Sequence, residues 1–401
     1  MICRICQSEA TKFLDLGNQP IANGFLTPDQ FQSEHFYNLS VAFCSNCLMV
    51  QLVDQPDPSK MFHNNYAFFS STSSHMAAHF ENWAKDVIEK YKPEFVVEIG
   101  SNDGIMLQHF EHGKRYGIDP SYNVVQVARG KGIQTICGFF NEMNAEVIER
   151  EYGKKADVIL SANVMAHIPD IHSVMRGVKL LLKPDGFLIF EDPYIGDILE
   201  KTSYDQIYDE HAFFFSVSSI IHLVSQHGME LIDVERQDTH GGSMRYTVAN
   251  AGKHVVSKNV EDFIMREYLG GLDDLTVYKD FASEVSESRI KLIDILKKIK
   301  SDGGNIVGYA ATAKSATVTN YCGIGPDLID YICDTTPIKQ GKFSPGAHIP
   351  VKQHQEFRDN PPSHALLFAW NHTKEIMEKE KDFKGKWIVY VPEVKILDSC
   401  S

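Results

Sequence analysis

The amino-acid sequence predicts an α/β protein in which a doubly wound parallel sheet follows a small metal-binding module and precedes a second, smaller α/β domain. Three observations predict this fold class. Strand and helix patterns alternate from residue 95, four cysteines fall within the first fifty residues, and a new strand–loop–helix unit opens at "NIVGYAATAKSATV". We expect three domains, at 1–65, 66–258 and 259–401.

The bulk composition restricts the class of protein. The 401 residues are 43% hydrophobic, enough to bury the cores of two or three domains. Asp and Glu number 53 against 39 Lys and Arg, and the formal charge of -14 disfavours binding to nucleic acid or an anionic membrane. The start "MICRICQSEA" has no targeting pattern, and no apolar run reaches the roughly 18 residues of a membrane helix. We expect a cytoplasmic protein whose oligomeric state stays open and is compatible with a monomer.

The first fifty residues contain two C-x-x-C pairs, "CRIC" and "CSNC". Each tight pair places two thiolates on one metal ion, and two pairs complete a tetrahedron around Zn²⁺. We expect the turn-rich segment "FLDLGNQPIANGFLTPDQ" between the pairs to loop out. Four sulfur ligands leave no open position, so the zinc is predicted to be structural. The predicted ligands are Cys3, Cys6, Cys44 and Cys47.

The central part alternates strands and helices. A helix over "HMAAHFENWAKDVIEKY" precedes the strands, and another is predicted after Gly104. "SVSSIIHLVSQHGM" predicts a further helix, followed by the strands "ELIDVERQD" and "RYTVAN". The predicted parallel strands are "FVVEIG", "YGIDP", "IQTICG", "ADVILSANV" and "FLIFEDP".

The last third opens with a helical pattern over residues 259–300. Its apolar residues recur at three-, four- and seven-residue spacings, and Gly303 and Gly304 end it, which predicts a connecting helix. The strands "LIDYICD", "ALLFAWN" and "WIVYVPE" then predict the second α/β domain.

The turn after the first parallel strand is a candidate ligand site. "VEIGSNDG" places Gly100 and Gly104 where the backbone can approach a ligand closely. The second strand ends in Asp119, whose carboxylate can accept two hydrogen bonds from a ribose diol. The turn lacks the G-x-G-x-x-G spacing of dinucleotide-binding proteins, which disfavours an NAD-dependent oxidoreductase.

The series "VVEIGSNDG", "GIDPS" and "ANVMAHIPD" resembles the class I S-adenosylmethionine (SAM) dependent methyltransferases. The resemblance implies a Rossmann-like core whose first loop holds the methionine end of SAM and whose second acid holds the ribose. Asn102 stands where a third glycine is expected. The resemblance further implies that Asn163 lies near the sulfonium and that Phe139 or Phe140 flanks the adenine. The implied cofactor contacts are Glu98, Gly100, Asn102, Asp103, Asp119, Phe139, Phe140 and Asn163.

The order of motifs along nearly the whole chain is similar to that of the sugar C-methyltransferases. The four cysteines are followed by "EDPYIGDILEKTSYDQIYDEH", "HGGSMRYT", "GYAATAKSATVTNYCGIGPDL" and "FAWNH". The resemblance implies that the substrate is a nucleotide-linked 4-keto-6-deoxy sugar, with dTDP preferred, methylated at C3 in branched deoxysugar biosynthesis. Methylation at C5, a GDP or CDP carrier, and a 3-amino or 3-hydroxy group stay open.

Methylation of a ring carbon beside a ketone explains the residue types in "YDEH". The enzyme must remove a weakly acidic C–H proton, which requires a base and a donor for the enolate oxygen. A neutral imidazole suits the base because its pKa of about 6.5 leaves it mostly deprotonated near neutrality. The resemblance assigns the base to His211 and places Tyr208 and Glu210 beside the sugar. His167 and Tyr66 are further candidates, with a structural role for His167 and simple packing of Tyr66 left open.

The diphosphate of such a substrate requires an anion site. "IVGYAATAKSA" places Thr312, Lys314 and Ser315 where a strand ends and a helix begins, so N–H groups, hydroxyls and one ammonium converge. Arg245 of "HGGSMRYT" and Asn371 of "FAWNH" are further candidates. The alternative for Lys314 is a solvated lysine at a helix start.

Three competing functions stay open. O- or N-methylation of a sugar needs a base only for a hydroxyl or an amine. A zinc-ribbon scaffold or nucleic-acid-binding module with a degenerate methyltransferase core is opposed by the acidic charge and the intact cofactor motifs. An NAD-dependent oxidoreductase is opposed by its missing glycine motif.

Overall fold

The computed structural model describes residues 1–57 and 74–398. Tyr66, which the sequence placed near the active site, lies outside the described residues. The strands form a four-stranded, a seven-stranded and a six-stranded sheet. The predicted α/β class, with a parallel central sheet and a second α/β domain, is confirmed.

The strands are β1 Thr11–Pro20, β2 Phe36–Phe43, β3 Val50–Leu52, β4 Val96–Ile99, β5 Arg115–Asp119, β6 Thr135–Cys137, β7 Ala156–Ala162, β8 Leu182–Pro193, β9 Phe213–Phe214, β10 Met229–Gln237, β11 Ser243–Asn250, β12 Ile306–Tyr309, β13 Ile332–Asp334, β14 Val351–Gln353, β15 His364–Leu367, β16 Lys386–Val389 and β17 Lys395–Asp398.

Two kinds of helix occur in the described residues. The α-helices are α1 Ser74–Tyr91, α2 Tyr122–Gly130, α3 Glu142–Tyr152, α4 Ile171–Leu181, α5 Ile195–Glu200, α6 Val217–Ser225, α7 Lys258–Leu269, α8 Leu275–Ser301, α9 Ala313–Cys322, α10 His354–Asp359 and α11 Thr373–Lys379. The short 3-10 turns are Pro28–Ser33, Leu107–His109, Met165–His167, Tyr204–Gln206, Thr239–Gly241 and Trp370–His372.

The N-terminal sheet has the order β1-β2-β3-β9 with antiparallel pairing throughout. The prediction that the segment between the cysteine pairs loops out is wrong for its first part, because Thr11–Pro20 is a ten-residue strand. Alternate side chains such as Leu14 and Leu16 are buried, and this apolar face outweighs the turn residues Gly17 and Asn18. Strand β9 comes from residues 213–214, so a distant part of the chain completes this sheet.

The central sheet has the order β10-β11-β8-β7-β4-β5-β6. Strands β4 to β8 pair in parallel, and β11 and β10 extend the sheet in antiparallel fashion. The chain runs outward from β4 to β6 and returns to β7 on the other side. The crevice between the carboxyl ends of β4 and β7 is therefore a topological switch point, where ligands bind in doubly wound sheets.

The segment after Gly104 differs from its prediction. It forms only the 3-10 turn Leu107–His109 and no α-helix. Ile105, Met106 and Leu107 are all buried, so the segment packs against the sheet with several successive side chains instead of one helical face. The predicted connecting helix is also divided, because α7 and α8 are separated at residues 270–274.

The C-terminal sheet has the order β14-β13-β12-β15-β16-β17. Its second switch point lies between the parallel strands β12 and β15. Long helix α8 buries Tyr278, Leu292 and Leu296 in a core that also contains Leu14 of β1 and Ile306 of β12. Apolar packing therefore joins the N-terminal sheet to the C-terminal domain. Across residues 1–57 and 74–398, no helix combines the length and the apolar character of a membrane span.

Candidate active site

The first switch point is formed by the loops after β4 and β7. Gly100, Asn102 and Gly104 have positive φ angles of 71°, 48° and 76°. A Cβ atom at Gly100 would lie 2.2 Å from Cγ2 of Val164, so the two loops touch and only glycine fits there. The backbone in this turn is therefore held open toward the crevice.

Substitution of Gly100 should disrupt this crevice. Gly100→Ala adds a left-handed alanine and a clash with Val164, and we expect a loss of about 2–5 kcal/mol of unfolding free energy. The same substitution should lower the affinity for SAM. Gly113 is the matched control, since its φ is 81° and nothing lies within 4 Å of an added Cβ. Gly113→Ala should cost only about 1–2 kcal/mol and leave SAM affinity unchanged, as measured by denaturation and calorimetry. Equal losses of SAM affinity would contradict the close-approach role of Gly100.

Three buried carboxyl groups surround this turn, on Glu98, Asp103 and Asp119. Asp119 accepts hydrogen bonds from the N–H groups of Asn102 at 3.0 Å and Ser121 at 2.8 Å. Within the described residues, Oε2 of Glu98 and both carboxylate oxygens of Asp103 have no hydrogen-bond partner.

These carboxyls are short of positive charge. Burial raises the pKa of Glu98, and repulsion from Asp119 and Asp103 raises it further. The nearest ammonium is Lys131, 3.5 Å from Asp103. Three buried carboxyls beside a single lysine ammonium fit a ligand that carries an ammonium group, a sulfonium and a ribose diol, as SAM does.

The other predicted cofactor contacts lie at the same edge. Asn163 follows β7 with a φ of 56°, and its Nδ2 lies 3.3 Å from Nε2 of His240. Phe139 is 44% exposed beyond β6 and free to cover a ligand, whereas Phe140 is buried in the core of the sheet. The side chain of Phe139 is thus better placed to flank a purine ring.

His211 lies at the same end of the molecule, immediately before β9. Its Nδ1 is 2.8 Å from the carbonyl oxygen of Gln206. A carbonyl only accepts, so Nδ1 carries the proton and the neutral ring keeps a lone pair on Nε2. The ring centroid lies 4.2 Å from Tyr208 and 4.9 Å from His167. The structure therefore brings His211, Tyr208 and His167 together.

The electrostatic environment keeps these imidazoles neutral. Burial, and then the neighbouring His167, lower the pKa of His211 well below its ordinary value. Burial also lowers the pKa of His167 to about 4. A neutral His211 is the form that accepts a proton.

This shift sets the expected pH dependence. The basic form of His211 is active, so activity is present above its folded pKa and lost as the pH falls through it. We expect kcat/KM to change little between pH 7.5 and 6.5 and to fall only at lower pH, because an ordinary imidazole base is already half-protonated at about pH 6.5 whereas the pKa of His211 is lowered. Initial rates at each pH, with thermal unfolding measured in parallel, check this. Half-loss at or above pH 6.5 in folded enzyme would contradict it.

Glu210 interacts with residues of both the N-terminal and the C-terminal domain. Its Oε1 accepts a hydrogen bond from Nδ2 of Asn23 at 2.7 Å. Burial raises its pKa, and the positive charge of Lys339 partly offsets this. The neighbouring Asp209 accepts the N–H of Ala22 at 3.1 Å, and burial with the charge of Glu210 raises its pKa to about 8. The loop at residues 21–25 thus holds the acidic pair.

The second switch point carries four of the predicted substrate contacts. Thr312 caps α9 by accepting the N–H of Ser315. Lys314 lies 4.6 Å from the Trp370 ring centroid and donates to Oδ1 of Asn371 at 3.2 Å. Thr312, Lys314, Ser315 and Asn371 therefore meet at the ends of β12 and β15.

Trp370 connects this crevice to the candidate base. Its Nε1 donates to the buried Asp205 at 2.7 Å, as does the hydroxyl of Tyr390. The residue after Asp205 is Gln206, whose carbonyl accepts from His211. The charge of Lys314 also contributes to lowering the pKa of His211.

Arg245 lies apart from Lys314, within the central sheet. Its guanidinium lies 4.4 Å from the Trp83 ring centroid and 3.1 Å from Glu191, with Glu235 at 3.5 Å. These partners occupy the guanidinium with protein groups. Its predicted role in binding substrate stays a prediction.

The four N-terminal cysteines come together as predicted. Their Sγ atoms all lie within 4.8 Å of one another, and the Cys3–Cys47 and Cys6–Cys44 pairs are each 3.5 Å apart. Zn–S bonds of about 2.3 Å in a tetrahedron require S···S distances near 3.8 Å, so the cluster fits zinc.

Both C-x-x-C turns use one backbone geometry. The N–H of Gln7 donates to the carbonyl of Cys3 at 3.1 Å, and the N–H of Leu48 donates to that of Cys44 at 2.8 Å. Gln7 and Leu48 both have left-handed φ angles near 60°, at 59° and 60°. Gln51 of β3 donates to Sγ of Cys3 at 3.1 Å.

Sequence reasoning did not single out several residues of this site. Asn23 and Lys339 flank Glu210, Asp205 and Trp370 join the two crevices, and His240 contacts Asn163. The sequence did contain a signal for His240, because in "HGGSMRYT" a histidine followed by two glycines marks a tight turn at a strand end.

Three parts of the chain match known protein families. Residues 3–62 match a family described as "Putative zinc binding domain", residues 73–234 a "Methyltransferase domain", and residues 238–392 a "C-methyltransferase C-terminal domain". The C-methyltransferase NovU of Streptomyces niveus is 32% identical over 409 residues, covering 99% of this chain and 97% of that protein. The predicted resemblance, the SAM cofactor and the zinc are confirmed.

Some relatives match only part of the chain. The ubiquinone biosynthesis O-methyltransferase of Yersinia enterocolitica is 30% identical over 100 residues, 24% of this chain and 40% of that protein. A solved SAM-dependent methyltransferase of Thermotoga maritima is 18% identical, covering 43% of this chain and 91% of its own, with a TM-score of 0.32. The magnesium protoporphyrin IX methyltransferase of Synechocystis is 13% identical over 44% of this chain and 83% of its own, with a TM-score of 0.34.

Proposed function

The chain belongs to the C-methyltransferase family, and from this membership we propose that it methylates C3 of a nucleotide-linked 4-keto-6-deoxy sugar. The carrier we favour is dTDP. In the proposed reaction, His211 takes the proton from the carbon beside the ketone, and the resulting carbanion accepts the methyl group. SAM supplies that methyl group as an electrophile.

The observation that carries this proposal is the state of His211. Its Nδ1–H is fixed by the Gln206 carbonyl at 2.8 Å, which leaves Nε2 as a proton acceptor in a site that lowers its pKa. A base of this kind is required for C–H abstraction and far less so for methylating an amine. Tyr208 and Glu210 adjoin His211, where they can contact the sugar ring.

The charges of the two crevices favour a substrate that is large and anionic. The acidic first crevice suits the cationic SAM, whereas Lys314 and the N-terminus of α9 supply positive charge at the second. Burial lowers the pKa of Lys314, and the negative charge of Asp205 partly offsets this. We propose that the second crevice binds the diphosphate while the sugar extends toward His211.

Removal of Lys314 tests the diphosphate site. Loss of a charge-assisted hydrogen bond of about 1.5–3 kcal/mol should raise KM for the sugar nucleotide about 10–100-fold in Lys314→Ala, with little change in SAM affinity. Lys374 is exposed in the same domain and provides the control, so Lys374→Ala should keep the KM of the unaltered enzyme. An unchanged KM in Lys314→Ala would remove this residue from the binding site.

Product analysis tests the function itself. The enzyme is incubated with SAM and a panel of dTDP-, GDP- and CDP-linked 4-keto-6-deoxy sugars, with 3-amino and 3-hydroxy forms of each. NMR of the product should give a new methyl signal on carbon C3. A methyl on C5 would move the site of methylation, and a methyl on oxygen or nitrogen would overturn the proposal.

A further inference from the structure

His240 occupies an unusual backbone position. It lies in the turn that connects β10 to β11. Three successive residues of this turn have positive φ angles, with His240 at 55°, Gly241 at 94° and Gly242 at 130°. A left-handed histidine is uncommon, and such conformations persist where the surrounding structure holds them, often at functional sites.

The neighbouring domains hold this turn on both sides. A Cβ at Gly241 would lie 2.4 Å from the Trp370 ring, and one at Gly242 would lie 2.4 Å from a carboxylate oxygen of Asp197. Lys201 also donates from Nζ to the carbonyl of Gly241. The turn is therefore enclosed by Asp197 and Lys201 on one side and by Trp370 of the C-terminal crevice on the other.

The hydrogen bond to Asn163 fixes the imidazole of His240. Nδ2 of Asn163 donates to Nε2 of His240 at 3.3 Å, so the proton of the neutral ring lies on Nδ1. Within residues 1–57 and 74–398, Nδ1 has no hydrogen-bond partner in the protein. Burial lowers the pKa of His240 to about 4, and the charge of Lys314 contributes, which keeps the ring neutral and Nδ1 a donor.

His240 lies within electrostatic reach of the candidate base. Its charge would lower the pKa of both His211 and His167, so the three imidazoles are within electrostatic reach of one another. It also stands between Asn163 of the cofactor crevice and Lys314 of the diphosphate crevice. A sugar that spans the two crevices would therefore lie near His240.

We propose that the Nδ1–H of His240 donates a hydrogen bond to the ketone oxygen of the substrate and stabilises the enolate, as a further catalytic residue. This inference rests on the proposed function. The C–H bond breaks, its proton moves to Nε2 of His211, and its electron pair is delocalised onto the ketone oxygen facing His240. When the electron pair forms the new C–C bond, the ketone is restored and His211 retains the proton. A neutral donor suits a transient oxyanion because it does not give up its own proton.

Two substitutions at this position distinguish loss of the hydrogen-bond donor from disturbance of the fold. Glycine and asparagine both tolerate the left-handed backbone, and asparagine keeps an N–H group near the position of Nδ1. We expect His240→Gly to lower kcat, and to lower deuterium exchange of the keto sugar in D₂O, by about 100-fold or more. His240→Asn should recover at least about tenfold of both rates. Exchange is measured with S-adenosylhomocysteine bound, so that no methyl transfer intervenes.

The pattern of changes decides between roles. The KM for the sugar nucleotide and the affinity for SAM should stay within about threefold of the unaltered enzyme. The enolate role is wrong if the His240→Gly variant catalyses deuterium exchange as fast as the unaltered enzyme. It is also wrong if the variant keeps its kcat and only its KM rises. In both cases the proposed function stands. If the unaltered enzyme exchanges no keto sugar, the proposed function fails and this inference fails with it.

Discussion

Replacement of His211 by alanine should abolish turnover while leaving cofactor binding intact. Loss of a general base typically costs about 10²–10⁴-fold in rate, and we expect the upper end because the hydrogen bond from Nδ1 to the Gln206 carbonyl orients Nε2 of His211 as the acceptor. The SAM site lies at the ends of β4 and β7, so the Kd for SAM should change by less than about threefold. Steady-state kinetics and calorimetry measure the two quantities.

The matched control for this prediction is His222, which is exposed on α6. His222→Ala should retain at least about half of the activity, because surface substitutions change stability by only about 0.5 kcal/mol. Retained activity in His211→Ala would remove His211 as the base. A parallel loss of SAM binding would instead indicate that the substitution disturbs the fold.

Loss of one zinc ligand should affect both the metal site and the distant base. Structural zinc contributes about 10–16 kcal/mol in small isolated modules, so Cys44→Ser should release the metal and lower the unfolding temperature. Activity should fall as well, because the cluster is linked to the base through backbone pairing. Gln51 donates to Cys3 and pairs with Phe213, two residues after His211.

Elemental analysis, thermal unfolding and initial rates measure the three effects, and amide hydrogen exchange at residues 213–214 follows the link between the cluster and the base. Cys137 provides the control, because its thiol is exposed and remote from the cluster. Cys137→Ser should keep about one zinc ion per chain and the unaltered unfolding temperature. Full zinc content in Cys44→Ser would contradict a four-cysteine site.

The features that sequence predicted well are those with a fixed short spacing or a strong local constraint. Two C-x-x-C pairs can place four thiolates together, and the cluster formed although β1 lies between the pairs. The glycine turn after β4 required Gly100 because of its close contact with Val164. The sheet could be predicted because each buried strand has a continuous apolar pattern.

The features that sequence missed depend on contacts between distant segments. Helix periodicity needs two or three turns, so it cannot reveal the three-residue 3-10 turns that carry His167, Asp205, His240 and Asn371. Lys339 and Asn23 approach Glu210 from the two other domains, and no spacing in the sequence records that meeting. Tertiary packing also overrode the expected helix after Gly104.

Deuterium exchange tests directly whether His211 removes a proton from the carbon beside the ketone. The enzyme is incubated in D₂O with a nucleotide-linked 4-keto-6-deoxy sugar and S-adenosylhomocysteine, and the sugar is followed by NMR and mass spectrometry. We expect one deuterium to enter at C3, at a rate that falls about 10²–10⁴-fold in His211→Ala. No exchange with any sugar of the panel, or equal exchange in His211→Ala, would contradict it.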